Sequence, residues 1–217
     1  MKHYIEITLL PGQEIPLYFL WSKVYMQLHL AFVEQKDSNE QVEYGISFPD
    51  YVNQMTVEKK VACSLGARAR IFADTPEKLH SLNLKKWLER LEDYIHMKGV
   101  KPVEKATRYL VVNRQREEPS PEKWARRHAK RHNISFDKAL EKWNKKNVII
   151  LDAIQNTGSE QAKRMEVKTL RSPYIEIKSL SGDHAFSLAI KQTYTDQMIE
   201  GKFSTYGLSS SSTVPHW

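Results

Sequence analysis

The side chains able to do chemistry are few and far apart in the chain. His29 stands one position past Leu28, at the edge of an apolar stripe, with Tyr25 one helical turn before it. An imidazole titrates near neutral pH, which suits it to taking or giving a proton. Read alone, a histidine at such a boundary is ordinarily a packing residue, and both roles stay open. Ser179 and Ser181 flank a Ser-Gly-Asp turn and read as turn formers that also offer hydroxyls. Tyr206 precedes Gly207 and reads as packing. His128 and His132 stand four apart, but no third ligand accompanies them, and they read as part of a basic helix rather than a metal site. The single cysteine, Cys63, excludes an intramolecular disulfide and a cysteine-based zinc site. No glycine-rich phosphate loop of the P-loop or dinucleotide pattern occurs. The expectation is no metal and no small-molecule cofactor.

The strongest local signal is electrostatic. Ser120 to His132 opens as a helix start: Ser120 as cap, Pro121 at the first helical position, and Glu122 at the positive end of the dipole. Lys123, Arg126, Arg127, Lys130 and Arg131 then fall on one face, with Trp124, Ala125, His128, Ala129 and His132 on the other. No acidic residue follows Glu122 within the stripe, so its like charges repel unless a partner neutralises them. A phosphate backbone is the natural counter-charge. The chain carries a net charge of +7, yet residues 105–146 hold 13 Lys/Arg against 5 Asp/Glu, so the remainder is close to neutral. Charge confined to one segment marks the footprint of one polyanionic partner.

Other elements must position these groups. His3 to Leu10 alternates as a strand, Pro16 to Gln35 has helical spacing, Gln41 to Phe48 and Ala67 to Ala73 read as strands, and Thr56 to Leu65 is ambiguous. Thr75 caps a helix running through Leu79, Leu82, Trp87, Leu88, Leu91 and Ile95, with a break at Ser81 to Leu84. Gly99 to Val103 or Arg108 to Val112 supplies a last strand. The order strand, helix, strand, strand, helix, strand is the split βαβ, or ferredoxin-like, arrangement. After the basic helix, Ser135 caps a short helix with Phe136, Ala139, Leu140 and Trp143 on one side. Val148 to Leu151 is an apolar run, Asn156 to Lys163 a polar loop, and Glu166 to Leu170 a short strand. Tyr174 to Leu180 and Ala185 to Gln192 form a hairpin. Phe203 to Leu208 adds a strand before a serine-rich loop.

Several pieces of the chain together resemble one family. They are the opening His3-Tyr-Ile-Glu-Ile, the Leu28-His29-Leu-Ala segment, Gly45-Ile-Ser-Phe-Pro-Asp50, the basic helix ending Arg131-His132, Lys178-Ser-Leu-Ser181 and Tyr206-Gly-Leu-Ser209. This set, in this order, is similar to the CRISPR repeat-processing endoribonucleases of type I-F systems. Residues 147–171 look longer than the corresponding stretch of that family.

The resemblance implies a metal-independent enzyme that cuts a precursor transcript at the base of each repeat hairpin. A ribose 2′-OH attacks the adjacent phosphate, leaving a 2′,3′-cyclic phosphate and a 5′-OH, and the protein stays on the mature guide RNA. It implies His29 as general base, Ser179 holding the 2′-OH, Tyr206 positioning the histidine, and Phe186 stacking on the terminal base pair. Ser181 is the second hydroxyl at that turn. Lys123, Arg126, Arg127, Lys130 and Arg131 would grip the hairpin. Arg114 corresponds to a linker arginine that reads a guanine edge. Two positions on, the family pattern has glutamine where this chain has Arg116, with Gln115 between. Either a different base pair is read or the linker register differs. Lys130 stands where arginine is expected, which keeps charge but not bidentate geometry.

The expected fold class is therefore α+β. Residues 1–104 form a ferredoxin-like (RRM-like) domain with the histidine. Residues 105–217 form an RNA-hairpin-binding domain with the arginine-rich helix and a C-terminal hairpin. The implied partners are the repeat hairpin RNA and the type I-F surveillance complex. The charged, alternating N-terminus does not read as a signal peptide, and no apolar run of membrane-spanning length occurs, so a cytoplasmic protein without a membrane partner is expected. The alternatives from other classes are a non-catalytic hairpin-binding module and a DNA-binding protein using the basic helix.

Overall fold

The computed structural model describes residues 1–12, 15–55, 61–104, 106–115, 121–144, 172–179, 182 and 184–217. The chain packs as two compact units, one of residues 1–115 with 172–217 and one of residues 116–171, so the expected division at 104/105 falls inside the first.

In the first unit, strand β1 (His3–Leu9) points Ile5, Ile7 and Leu9 inward. Helix α1 (Leu17–Glu34) buries Leu20, Trp21, Val24, Tyr25, Leu28, Ala31 and Phe32, one stripe at helical spacing. Each large apolar side chain so buried contributes about 1.5–3 kcal/mol. The expected single strand from Gln41 to Phe48 is two: β2 (Gln41–Val42) and β3 (Gly45–Ser47), each pairing with a different partner. Among the described residues β4 (Val52–Met55) and β5 (Val61–Ser64) pair only with each other, so the ambiguous Thr56 to Leu65 stretch contains a strand in its described part. β6 (Arg68–Ala73) runs antiparallel to β1 and sets Arg70 opposite Glu6.

Thr75 caps α2 (Pro76–Ser81), its hydroxyl accepting from Lys78 N at 3.4 Å. Asn83, at φ 46°, separates α2 from α3 (Leu84–Leu88). A 3₁₀ turn over Glu89–Tyr94 follows, and Ile95 already begins β7 (Ile95–Met97), so the helical run stops short of where its periodicity placed it. β7 pairs with one end of β1 and β8 (Lys101–Pro102) with the other. The sheet order β3-β6-β1-β7, with helices after β1 and β6, is the expected ferredoxin-like arrangement.

Arg108 to Val112 does not join that sheet. It lies in β9 (Arg108–Gln115), inside a second antiparallel sheet with β10 (Tyr174–Lys178), β11 (Ala185–Thr195) and β13 (Thr213–His216), ordered β10-β11-β9-β13. Pro215 is tolerated because β13 is an edge strand. β12 is only Phe203–Ser204, paired with β2; the chain then turns instead of continuing to Leu208. One hydrophobic core unites both sheets, running from Ile7 and Ile71 to Leu110, Ile190 and Val214. Gln192 reaches across it. Its amide accepts from Phe48 N (2.7 Å) and donates to Phe48 O (2.9 Å), closing the same pair of bonds that a neighbouring strand would. Near the opposite end, Glu6 accepts from Arg70 (2.9 Å) and Lys98 (2.6 Å), and the Arg70 guanidinium lies 4.0 Å from the Trp217 ring centroid.

In the second unit, α4 (Pro121–His132) buries Ala125, while Trp124 stacks on His128 and meets Trp143 of the helix over 136–144, whose Ala139 is also buried. Ser135 Oγ accepts from Lys138 N, the expected cap. The Ser120 cap and the expected elements at 148–151, 156–163 and 166–170 lie outside the described residues. No helix among the described residues is long and apolar enough to cross a membrane.

Candidate active site

His29 projects from α1 at the boundary of its buried stripe, half-buried itself. Its Nδ1 lies 2.8 Å from the Thr205 carbonyl oxygen. A carbonyl only accepts, so Nδ1 carries the hydrogen, and in the neutral ring Nε2 is left with its lone pair. Burial pushes the imidazole below its ordinary pKa, against a smaller upward effect of the Thr205 bond. The ring is therefore neutral at physiological pH and held in the tautomer that can receive a proton on Nε2.

Tyr206 covers that ring. The two ring centroids are 4.0 Å apart and nearly parallel, at 2°. The turn carrying Tyr206 is pinned at each step. Gly207 N donates to Ser204 O (2.8 Å), and Ile46 N donates to Gly207 O (3.0 Å). Tyr25 Oη donates to Tyr206 O (2.8 Å). Gly207 sits at φ 70°, and a Cβ there would meet Phe32 at 3.0 Å and Ile46 at 3.1 Å, so the close approach to α1 needs glycine.

The structure also brings Arg114 and Phe186 together, across the β9–β11 pairing. The Arg114 guanidinium lies 5.3 Å from the Phe186 ring centroid. Its charge reaches Tyr206: burial raises the Tyr206 phenol, and Arg114 partly offsets that. Gln115 ends β9 opposite Ala189. Ser179 follows Lys178, the last residue of β10, whose pair is Ala185; its N–H donates to His184 O (2.9 Å) and its hydroxyl accepts from Gly182 N (3.2 Å). Ser179 thus stands two residues beyond Ile177, the strand partner of Phe186. Arg116 and Ser181 lie outside the described residues.

In the second unit, Lys123, Arg126, Arg127, Lys130 and Arg131 are all exposed on α4. On its other face Ala125 is buried and Trp124, His128 and Ala129 are half-buried, while His132, which the spacing also placed there, is exposed. Burial, and then the neighbouring His132, Lys142 and Arg131, lower the His128 pKa. Among the described residues no group of three or more His, Cys, Asp or Glu side chains gathers as a metal site.

Two participants escape a reading of side-chain patterns. The Thr205 carbonyl orients the imidazole, and a backbone group has no residue signature. Tyr25 was visible one turn before His29, but nothing in its spacing pointed to a bond with the Tyr206 carbonyl.

This geometry has relatives. The family model described as CRISPR-associated protein (Cas_Csy4) matches residues 4–217. A protein of Escherichia coli (strain UTI89 / UPEC), named CRISPR-associated endonuclease Cas6/Csy4, is 28% identical over 216 residues, covering 99% of each chain. One of the same name from Pseudomonas aeruginosa (strain UCBPP-PA14) is 30% identical over 216 residues, again covering 99% of each. With the match spanning both units and every candidate residue discussed above, the chain belongs to the Cas_Csy4 family of CRISPR-associated proteins.

Proposed function

We propose that this protein is, like the relatives it matches, a CRISPR-associated endonuclease, and that it cuts precursor CRISPR RNA at the base of the repeat hairpin without a metal. The observation that carries this reading is the imidazole of His29, neutral, with Nδ1 tied to Thr205 O and Nε2 left to accept a proton. In the proposed reaction His29 Nε2 takes the proton of a ribose 2′-OH. The 2′ oxygen attacks the neighbouring phosphorus and the bond to the 5′ oxygen breaks. The leaving 5′ oxygen takes a proton from water and the imidazolium gives its own back to solvent, so the products are a 2′,3′-cyclic phosphate and a 5′-hydroxyl and the base is restored. Ser179 holds the 2′-OH, and Tyr206 keeps the imidazole in plane.

Binding is divided among other groups. Phe186, with Arg114 over its ring, offers a stacking platform for the terminal base pair. Arg114 reads a guanine edge, a pairing its fork suits, with Gln115 beside it. The exposed stripe of α4, with Lys123, Arg126, Arg127, Lys130 and Arg131, meets the phosphates of the hairpin. Arg116 and Ser181 complete the RNA contacts. The protein stays on its product in the cytoplasm and so becomes the hairpin-holding subunit of the type I-F surveillance complex.

The test is a cleavage assay on labelled repeat RNA in EDTA. Wild-type protein gives a 2′,3′-cyclic end, and His29→Ala binds the hairpin but leaves it whole. Full cleavage by that variant, or a strict need for Mg²⁺, would sink the mechanism. Uncut RNA under saturating wild-type protein would point instead to a binding module.

A further inference from the structure

Tyr25 and His29 are four residues apart on α1, so they project from the same face one turn apart. Each grips one of two consecutive carbonyls: His29 Nδ1 holds Thr205 O, and Tyr25 Oη holds Tyr206 O, both at 2.8 Å. Ile46 N takes the third carbonyl in the row, Gly207 O, at 3.0 Å. The Tyr25 ring is 1% exposed and stacks on Phe48, so its hydroxyl is the one polar atom on an otherwise apolar side chain inside the core. Such a hydroxyl is placed there at a cost unless it is hydrogen-bonded, and its partner is the backbone of the residue that covers the catalytic candidate.

We infer that Tyr25 is a positioning residue for the reaction proposed above: by holding the Tyr206 carbonyl it fixes the 204–207 turn, and through that turn the tautomer and plane of His29. The inference rests on His29 being the base. Burial pushes the Tyr25 phenol far above its ordinary range, so it remains a donor at every working pH. Removing the hydroxyl leaves the Tyr206 carbonyl without this donor inside a packed site, and of the two hydrogen bonds named between the turn and α1 one remains, so the hold of α1 on the turn is loosened. The His29 ring loses part of its cover and its fixed Nδ1 partner together.

The experiment is Tyr25→Phe, which keeps the ring and its stack on Phe48. Single-turnover cleavage at saturating protein should fall about ten- to a hundredfold, by analogy with the loss when an outer-shell partner that orients a metal-bound histidine is removed, while affinity for the hairpin stays unchanged. A role confined to stability would not move the pH profile, but this one does. With the ring re-solvated, the inflection of the single-turnover rate shifts upward toward the ordinary imidazole range. Among the described residues the titratable groups recorded beside His29 are Tyr206, stacked on its ring, and Tyr25, one turn before it; burial raises both phenols, so neither gains charge near neutral pH. ¹⁵N-histidine spectra, with the His29 signals assigned by their loss in His29→Ala, read the tautomer without any activity. Wild type should show protonated Nδ1, and Tyr25→Phe a mixture. Gly207→Ala, which displaces the same turn by clashing with Phe32 and Ile46, should reproduce both changes and serves if Tyr25→Phe does not fold. A Tyr25→Phe protein with wild-type rate, profile and spectrum, beside a dead His29→Ala, would overturn the inference and leave the base assignment standing. Cleavage by His29→Ala would remove the base assignment itself.

Discussion

Arg126, Arg127 and Arg131 allow a quantitative test of the division between gripping and cutting. All three are exposed on α4, and none forms a salt bridge among the described residues. Replacing them with glutamine keeps length and helix propensity, and exposed substitutions of this kind change stability within about 0.5 kcal/mol. If each meets one phosphate, each accounts for about 0.7–0.9 of the slope of log affinity against log salt. The triple variant should therefore lose about 2–3 from that slope. At about 0.1 M salt, one decade below a 1 M reference, the same loss is about 2–3 decades of affinity. Fluorescence anisotropy with a labelled repeat hairpin, titrated from about 50 to about 200 mM salt, measures both quantities. Rapid-quench cleavage at saturating protein measures the chemical step separately, and it should stay within a few fold of wild type. An unchanged salt slope would show that α4 does not meet the RNA backbone. A single-turnover rate that falls as far as affinity would show that the helix does more than hold the hairpin.

Three further outcomes follow from the geometry. Because His29 is held below its ordinary pKa, the single-turnover rate should rise with pH only in the acid range, as the imidazole loses its proton, and be level through neutrality; a rate still climbing tenfold per pH unit above neutral would exclude this imidazole as the base. Phe186→Ala should weaken binding of an intact hairpin by about 1–3 kcal/mol, the usual worth of a base–aromatic stack, and equal loss for a single strand of the same sequence would argue against a hairpin platform. Glu6 and Arg70 are 4% and 7% exposed; burial alone would raise the Glu6 carboxyl, but Lys98 and Arg70 hold it below the usual range. Arg70→Ala should therefore cost about 3–5 kcal/mol in urea unfolding near neutral pH. That deficit should shrink as acid protonates Glu6, because the stabilisation is present above the unfolded carboxylate pKa and is lost as pH falls through the folded one; a deficit independent of pH would refute the ion-pair account.

Local chemistry made some of this molecule readable. The α1 stripe, the Thr75 cap, the two-faced α4 and the 174–192 hairpin each follow from periodicity or from a capping side chain, and the structure contains all four. What failed was the choice of partner. Gln41 to Phe48 alternates throughout, but alternation cannot say that Val42 pairs with Phe203 while Ile46 pairs with Ile71. Arg108 to Val112 had the right pattern for a fourth ferredoxin strand and was taken by the second sheet. The break at Asn83 falls where it was expected, but the helix expected to reach Ile95 tightens into a 3₁₀ turn over Glu89–Tyr94 and gives way to β7, a tertiary choice overriding propensity. Within the site, His29 and Tyr206 could be singled out by residue type, and their roles came from the resemblance. Their contact, and the carbonyl that orients the imidazole, depend on a turn folding back from the far end of the chain.

That distance has a consequence for timing. His29 and Thr205 are 176 residues apart, and Tyr25 and Tyr206 are 181 apart. A ribosome adds about 5–20 residues per second, so roughly 10–35 seconds separate the synthesis of the imidazole from that of the carbonyl that orients it. Throughout that interval a nascent chain has a histidine with no fixed tautomer and no ring above it. If His29 is the proposed base, placing it and residues 204–207 so far apart in the chain leaves the proposed site incomplete until that turn has emerged and docked on α1.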